Sequence, residues 1–504
     1  MTEKFLVSGV ALILAYLTWV WGGLQVAWLP PSIWAAGVLL IVLLASRSRL
    51  WWRDLFFYFG LLFLGYLAIQ WWNAGRVLYF DVGCNEWRYS LPRYPHWPSA
   101  VTRPEAAQML LWFFPAWVLG LVVRSPAVSR RTLSALLQGL VYSAGLLALF
   151  GIVQFLTRTR SQYWLAPIGD SFFASFGYTN HAAAYFVLMG ALAAGLLYRE
   201  IFKEGSFGGR GATRRDSLRD VASHDIAAHS APPTLRSMQS LQVPALAATL
   251  LLCLVGANLS LSRAGVILAW ALAGFVAVYG LVRGWRKLPR AGRVNLAAAT
   301  IAILFVFYFA VAGFGSKDIA KEFSVKKPVH HLLFPVLDDL NLALGGRWEQ
   351  DVAAWQMWQD HKLLGVGGWG YSYLLAFYIP KEDWKDLVQS EGRANVHCDI
   401  LQYLTEFGIV GFGLMVAAVA ALTLSPLPFM SAVALAKEEG ERARVRVFVT
   451  RHDPLRVMGI VGLLLVVIFS LIDLPFRCPA ILCTWIVILA TLPKVTAFKK
   501  HETS

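Results

Sequence analysis

Charged residues are scarce in this chain of 504 residues. They make up 15% of it, while 57% of the residues are hydrophobic; a soluble domain carries roughly 25% charged residues. This shortage of charge excludes an ordinary soluble domain and indicates that lipid is the solvent. The formal net charge of +15 does not predict a nucleic acid partner, because basic loops on the cytoplasmic side orient membrane helices.

Cysteine is also rare, and the common cofactor motifs are missing. The five cysteines form no CxxC pair, so the sequence indicates neither a disulfide framework nor a zinc site. A single bridge between Cys84 and Cys398 stays open, because both fall in predicted outer loops. The chain has no Walker A motif, no Rossmann glycine pattern and no HExxH, so nothing suggests ATP, NAD or zinc. We expect no cofactor and no metal.

Twelve long apolar runs predict the fold class. Most are near the roughly 20 residues that a helix needs to span a bilayer. We predict an all-α polytopic membrane protein with about 12 transmembrane helices, a large folded periplasmic loop between helices 9 and 10, and a single membrane domain over 1–504. The runs lie at 5–24, 31–46, 55–72, 106–123, 133–155, 181–198, 242–259, 264–282, 295–314, 398–424, 456–473 and 478–493.

The distribution of Lys and Arg predicts the orientation. With the N-terminus inside, the inner segments hold about 28 Lys and Arg and the outer segments other than the longest hold about 8, which places both termini on the cytoplasmic side. Residues 199–241, rich in Gly, Ser, Arg and Ala, then form a flexible basic cytoplasmic loop. Residues 315–397 form a periplasmic subdomain, because the loop is longer than a connection needs to be. Helical spacing predicts a helix there, at Trp348, Val352, Trp355 and Gln359.

Three ionisable residues fall on the same predicted outer face, where such groups are costly and tend to be functional. Arg263 lies between two apolar runs with almost no loop. Arg347 opens the Trp-rich helix, whose N-terminus attracts anions, and His397 can take a proton near neutral pH. Taken singly, they could be a headgroup contact, a solvated loop residue and an interfacial histidine. Together, they predict two cations that hold a lipid-linked pyrophosphate and a base that deprotonates an attacking hydroxyl.

Six short segments carry a recognisable pattern: 262–265 (Ser-Arg-Ala-Gly), 346–348 (Gly-Arg-Trp) with Trp355, 360–367 (up to Gly365 and Gly367), 397–411 (His397 with Gly408 and Gly411), 176–181 and 473–477. In type and order they resemble the O-antigen ligase and O-antigen polymerase family of bacterial envelope enzymes. Lys362 replaces a residue that is usually Pro in that family, and Cys398 replaces a residue that is usually polar.

This resemblance spans about 170–480 and implies a GT-C-like membrane fold. It also implies metal-independent transfer of a glycan from an undecaprenyl pyrophosphate carrier to lipid A core or a glycan acceptor, in the bacterial inner membrane. By position, Arg263 and Arg347 would bind the pyrophosphate and His397 would activate the acceptor hydroxyl. A polymerase that joins repeat units and a protein O-glycosylating enzyme remain open. So does a lipid-linked glycan transporter or flippase, although such a protein needs polar groups within its spans.

Overall fold

The computed structural model describes residues 2–46, 54–159, 161–167, 172–202, 233–314, 347–379, 395–424, 446–449 and 453–500. Within these residues the chain is mainly helical, and its strands form three two-stranded antiparallel sheets. The sheets pair β1 (Leu78–Asp81) with β2 (Glu86–Tyr89), β3 (Ser161–Gln162) with β4 (Ala166–Pro167), and β5 (Arg446–Val449) with β6 (Ala497–Lys500).

Each of the twelve apolar runs coincides with a helix. The helices are α1 (Thr2–Trp19), α2 (Pro30–Ala45), α3 (Leu55–Trp72), α4 (Arg103–Arg124), α5 (Arg130–Leu156), α6 (Thr179–Ile201), α7 (Pro233–Leu259), α8 (Arg263–Lys287), α9 (Arg290–Phe314), α10 (Arg347–Asp360), α11 (Gly370–Leu374), α12 (Asp399–Leu424), α13 (Pro454–Phe469) and α14 (Pro479–Val495).

The described residues contain ten helices that are long and apolar enough to cross a membrane. They are α1 to α9 and α12, so the prediction of an all-α multi-pass membrane protein is confirmed. The apolar helices α13 and α14 are shorter, with 16 and 17 residues. The count of twelve spans therefore stays a prediction.

Helix α6 lies at the centre of the bundle and is buried along its apolar length. It packs against α13, α7, α8 and α5. Small residues allow this, because backbones approach closely only where side chains are short. A Cβ on Gly195 would lie 2.9 Å from the Leu455 Cα, and one on Gly462 would lie 2.8 Å from the Ala191 Cβ.

A buried ion pair ties three helices together at one end of the bundle. Asp54 caps α3 by accepting the Phe56 N–H at 3.0 Å, and its other oxygen pairs with Arg124 at the end of α4. Arg124 also donates to the Leu422 carbonyl at 3.0 Å. The last turn of α12 is therefore at this end, and its first residue, Asp399, is at the opposite end.

Residues 347–379 form a cap over that opposite end, hereafter the capped end. The cap consists of α10, a glycine-rich turn and α11. Its own small core contains Ala354, Met357, Val366 and Tyr371. Helix α10 confirms the helix that the spacing of Trp348, Val352, Trp355 and Gln359 predicted.

Parts of the predicted loops lie outside the described residues. They are 203–232 of the predicted loop 199–241, and 315–346 and 380–394 of the predicted subdomain 315–397. Cys84 and Cys398 are both free cysteines, so the bridge that the sequence left open is not formed in this structure.

Candidate functional site

Helix α12 is broken at Gly408, and the glycine-rich turn of the cap fills the break. Gly408 has φ 60° and ψ −174°, so the helix cannot form its usual backbone bonds there. Four bonds to the turn replace them, and they fix the cap to α12. These bonds run from Val366 N–H to Thr405 O (3.1 Å), from Gly367 N–H to Glu406 O (2.8 Å), from Ile409 N–H to Lys362 O (2.8 Å) and from Val410 N–H to Leu363 O (3.1 Å).

The close contact between the turn of the cap and the break in α12 requires glycine on both sides. A Cβ on Gly365 would lie 2.5 Å from the Glu406 carbonyl carbon, and a Cβ on Gly408 would lie 2.5 Å from the Leu363 carbonyl carbon. The Tyr66 hydroxyl lies between the turn of the cap and the break in α12, 2.6 Å from Leu364 O and 2.8 Å from Phe407 O. The glycine motifs of 360–367 and 397–411 are therefore the two halves of one structural joint.

The same joint holds α10 against α12. The buried Thr405 hydroxyl donates to the Ala354 carbonyl at 3.1 Å, and the buried face of α10 also includes Ala353 and Met357. Arg347, the first residue of α10, is therefore on an element that is in direct contact with the helix after His397.

His397 lies in the turn that leads into α12, and its side chain is half-buried. Its φ of 26° is positive, which is uncommon for a residue other than glycine. Asp399 holds the start of the helix in place: its N–H donates to the Ser470 carbonyl at 2.9 Å, and its side chain accepts the Phe476 N–H at 2.8 Å. The residue two positions after His397 is thus held by Ser470 and by the turn 473–477.

The turn 473–477 also binds the first turn of α6. The Tyr178 hydroxyl donates to Asp473 at 3.1 Å, the Asn180 amide donates to the same carboxylate oxygen, and His181 Nε2 lies 2.9 Å from the Leu474 carbonyl. Three of the segments selected from the sequence, 176–181, 397–411 and 473–477, therefore meet at the capped end.

Arg263 is exposed and opens α8. Ser262 caps this helix by accepting the Gly265 N–H at 3.1 Å. Gly265 packs so closely on Ala183 of α6 that a Cβ would collide with that side chain. Because the start of α6 is at the capped end, Arg263 is at the capped end too. Helices α10 and α12 contact each other directly, and α8 is linked to them through α6 and the turn 473–477.

An apolar cavity of about 240 Å³ runs beside α12, between α3, α4, α13 and α14. Phe56 and Trp117 line it toward the Asp54 end. Asp399, Tyr403 and Ser470 line it at the capped end. The polar end of the cavity is thus two residues from His397 in the chain.

A buried chain of polar side chains near His397 was missed from the sequence. Arg477 pairs with Glu406, and Glu406 accepts from the Gln402 amide at 3.0 Å. Glu406 and Arg477 both lie in segments that the resemblance selected, but no spacing rule pairs residues so far apart. The available signal was the presence of charge next to apolar runs.

A second polar cluster missed from the sequence lies in the cap. Arg76, from the loop after α3, donates to Ser99 at 3.0 Å, and the Tyr378 hydroxyl donates to Asp360 at 2.9 Å. Burial and the charge of Arg76 lower the pKa of His361, against the opposing effect of Asp360. Burial and the hydrogen bond to Asp360 raise the pKa of Tyr378. In the sequence, Arg76 is one arginine in an aromatic loop, and nothing connects it to His361.

The side chains that could bind a metal ion form no metal centre in the part of the chain that the structure describes. No group of three or more His, Cys, Asp and Glu side chains there is arranged to hold an ion.

Comparison with known proteins agrees with the resemblance. Residues 248–416 match the family model described as O-antigen ligase, roughly a third of the chain. The matched region contains Arg263, Arg347 and His397 as well as both halves of the glycine joint. No curated protein matches the chain.

Proposed function

We propose that this chain, whose residues 248–416 match the O-antigen ligase family model, transfers a glycan from an undecaprenyl pyrophosphate carrier to an acceptor hydroxyl. The observation that supports the proposal is that Arg263, the turn of His397 and the helix that Arg347 opens all lie at the capped end of the helical bundle. In this proposal the capped end is periplasmic, both termini are cytoplasmic, and α13 and α14 complete twelve spans of the bacterial inner membrane.

The reaction needs two fixed cations and one base. Arg263 and Arg347 hold the pyrophosphate, and the planar guanidinium suits phosphate oxygens. His397 takes the proton of the acceptor hydroxyl, whose oxygen bonds to the anomeric carbon of the sugar. The bond from that carbon to the pyrophosphate oxygen breaks, and undecaprenyl pyrophosphate leaves with the electron pair. The two arginines stabilise its charge, so the step requires no metal.

The apolar cavity supports a lipid carrier as the donor. A polyprenyl chain has no polar groups to pair, and the cavity walls are almost wholly apolar. The cavity ends at Asp399, two residues from His397, so a polyprenyl chain that lies in it with its head group at this end would place the pyrophosphate at the capped end. Lipid A core or a glycan then approaches as the acceptor from the periplasm.

The test replaces His397 in the purified full-length protein. General base catalysis contributes on the order of 100- to 10,000-fold, so His397→Ala should lower the transfer rate by at least about 100-fold. His96, an exposed loop histidine, provides the control variant His96→Ala. Transfer by the His397 variant at the wild-type rate would exclude the general base.

The same assay separates the other activities. Lipid A core and lipid-linked repeat units are supplied as acceptors in separate reactions. Product on lipid A core identifies a ligase, and chain growth on repeat units identifies a polymerase. A flippase would move the labelled glycolipid across a vesicle membrane without changing its mass.

A further inference from the structure

We propose that Gln402, Glu406 and Arg477 are positioning residues that fix the backbone of the turn carrying His397. The inference rests on the proposed function, because it assumes that His397 is the base. It adds a buried series of hydrogen-bonded side chains that reaches from the turn 473–477, through α12, to the residue directly before His397.

The chain of contacts is continuous. Arg477 Nη2 pairs with Glu406 Oε2, and Glu406 Oε1 accepts from Gln402 Nε2 at 3.0 Å. Gln402 Oε1 then accepts the backbone N–H of Val396 at 3.2 Å, and its amide nitrogen also lies 3.3 Å from Asn395 Oδ1. The two residues before His397 are therefore held by one glutamine.

Glu406 determines which way that glutamine faces. An ionised carboxylate can only accept hydrogen bonds, whereas an amide side chain has an accepting and a donating end. Glu406 therefore requires the Gln402 nitrogen on its side, which leaves the Gln402 oxygen for Val396. In the opposite orientation, two N–H groups would face each other.

The burial of these residues indicates a role beyond stability. Arg477 is 2% exposed, and Glu406 and Gln402 are 0% exposed. The Arg477 guanidinium lies over Trp369, 4.6 Å from the ring centroid, and over Tyr403 at 5.1 Å. A protein is often as stable with apolar residues of similar volume as with a buried ion pair. Stability alone therefore does not explain why charged side chains are buried here.

The backbone of His397 needs such support. Its φ of 26° is a strained conformation, and strained residues persist only where their surroundings hold them. Gln402 restrains the turn before His397, and the contacts of Asp399 with Ser470 and Phe476 restrain it afterwards. With both sides held, the backbone of His397 and the direction of its Cα–Cβ bond are fixed.

A double-mutant cycle on the full-length protein tests the proposal. Gln402→Leu should lower kcat about 10- to 100-fold and change KM less than about threefold, because a misplaced catalytic group costs rate at that scale. In a His397→Ala background the same change should have almost no further effect, since the residue that it positions is gone. Gln154→Leu is the control: Gln154 is also buried, and its amide has no hydrogen-bond partner among the described residues.

Each outcome of the cycle has one meaning. An equal loss in both backgrounds would show that Gln402 acts on folding or elsewhere, and would overturn the inference. If His397→Ala alone keeps the wild-type rate, the proposed function fails first, and the cycle shows this independently of Gln402. Glu406→Gln, which keeps the size of the side chain, is taken through the same cycle if Gln402→Leu is not recovered as a monodisperse protein.

Discussion

The joint between the cap and α12 predicts a large effect of one methyl group at Gly408. At φ 60° and ψ −174°, a residue with a Cβ is strained by about 1–3 kcal/mol. The Cβ would also lie 2.5 Å from the Leu363 carbonyl carbon, so the turn 362–367 must move away. If two of the four bonds across the joint are lost at about 0.5–1.5 kcal/mol each, Gly408→Ala weakens the joint by about 2–6 kcal/mol.

Hydrogen exchange measures this loss where it occurs. Each 1.4 kcal/mol is a factor of ten in an equilibrium constant, so the amides of 366–367 and 409–410 should exchange at least about 30-fold faster in Gly408→Ala. The transfer rate should fall as well, because α10 is held less firmly on α12. Gly413→Ala is a matched control on the same helix, since a Cβ there meets nothing within 4 Å.

Two results would refute the reasoning. One is wild-type exchange at these four amides in Gly408→Ala. The other is equally fast exchange in Gly413→Ala, which would show that any added methyl group loosens α12 and that the joint is not special.

Four further outcomes are expected. Arg263→Gln should lower the transfer rate on the order of 100- to 1000-fold, as loss of one preorganised charge-stabilising group does. Arg286→Gln, at the other end of α8, is the control and should leave the rate unchanged. Equal effects of the two variants would contradict the role of Arg263. Incubation with EDTA should leave the rate unchanged, and a loss restored by added metal would refute the metal-free mechanism. Val416→Trp, which narrows the apolar cavity, should raise KM for a long polyprenyl donor more than for a short one, and Leu464→Trp outside the cavity should raise neither. Because the pKa of His361 is lowered from 6.5 in the folded protein, the unfolded cap binds the proton more readily, and stability falls as pH drops below about 6.5. Hydrogen exchange of the amides of 347–379, corrected for the pH dependence of intrinsic exchange rates, should show this loss of stability at low pH. His361→Asn should abolish the pH dependence.

The positions of the helices were predictable because spanning a bilayer imposes a length and an apolar composition on each one. The boundary of α7 shows the limit of that rule. Its backbone is helical from Pro233, whereas the apolar run begins at 242, because polar residues can continue a helix beyond the lipid. The helix α10 was predictable for another reason: Trp348, Val352, Trp355 and Gln359 recur with helical spacing.

The candidate site was predictable only in part. Resemblance selected Gly365, Gly367 and Gly408, but not that the turn of one motif fills the break of the other, since that depends on packing between distant segments. The chain from Gln402 to Arg477 has no local pattern either. Its members are ordinary residues until the fold brings them together.

The contacts of the turn 473–477 have a consequence for biosynthesis. Asp399 is held by the N–H of Phe476, which is 77 residues further along the chain, and Glu406 is paired with Arg477. A ribosome that has finished α12 has therefore produced His397, the proposed base, without the residues that hold the turn around it. Under the proposed function, glycan transfer begins only once α13 and α14 have been made and packed against α12, so chains shortened before Asp473 should be inserted but inactive.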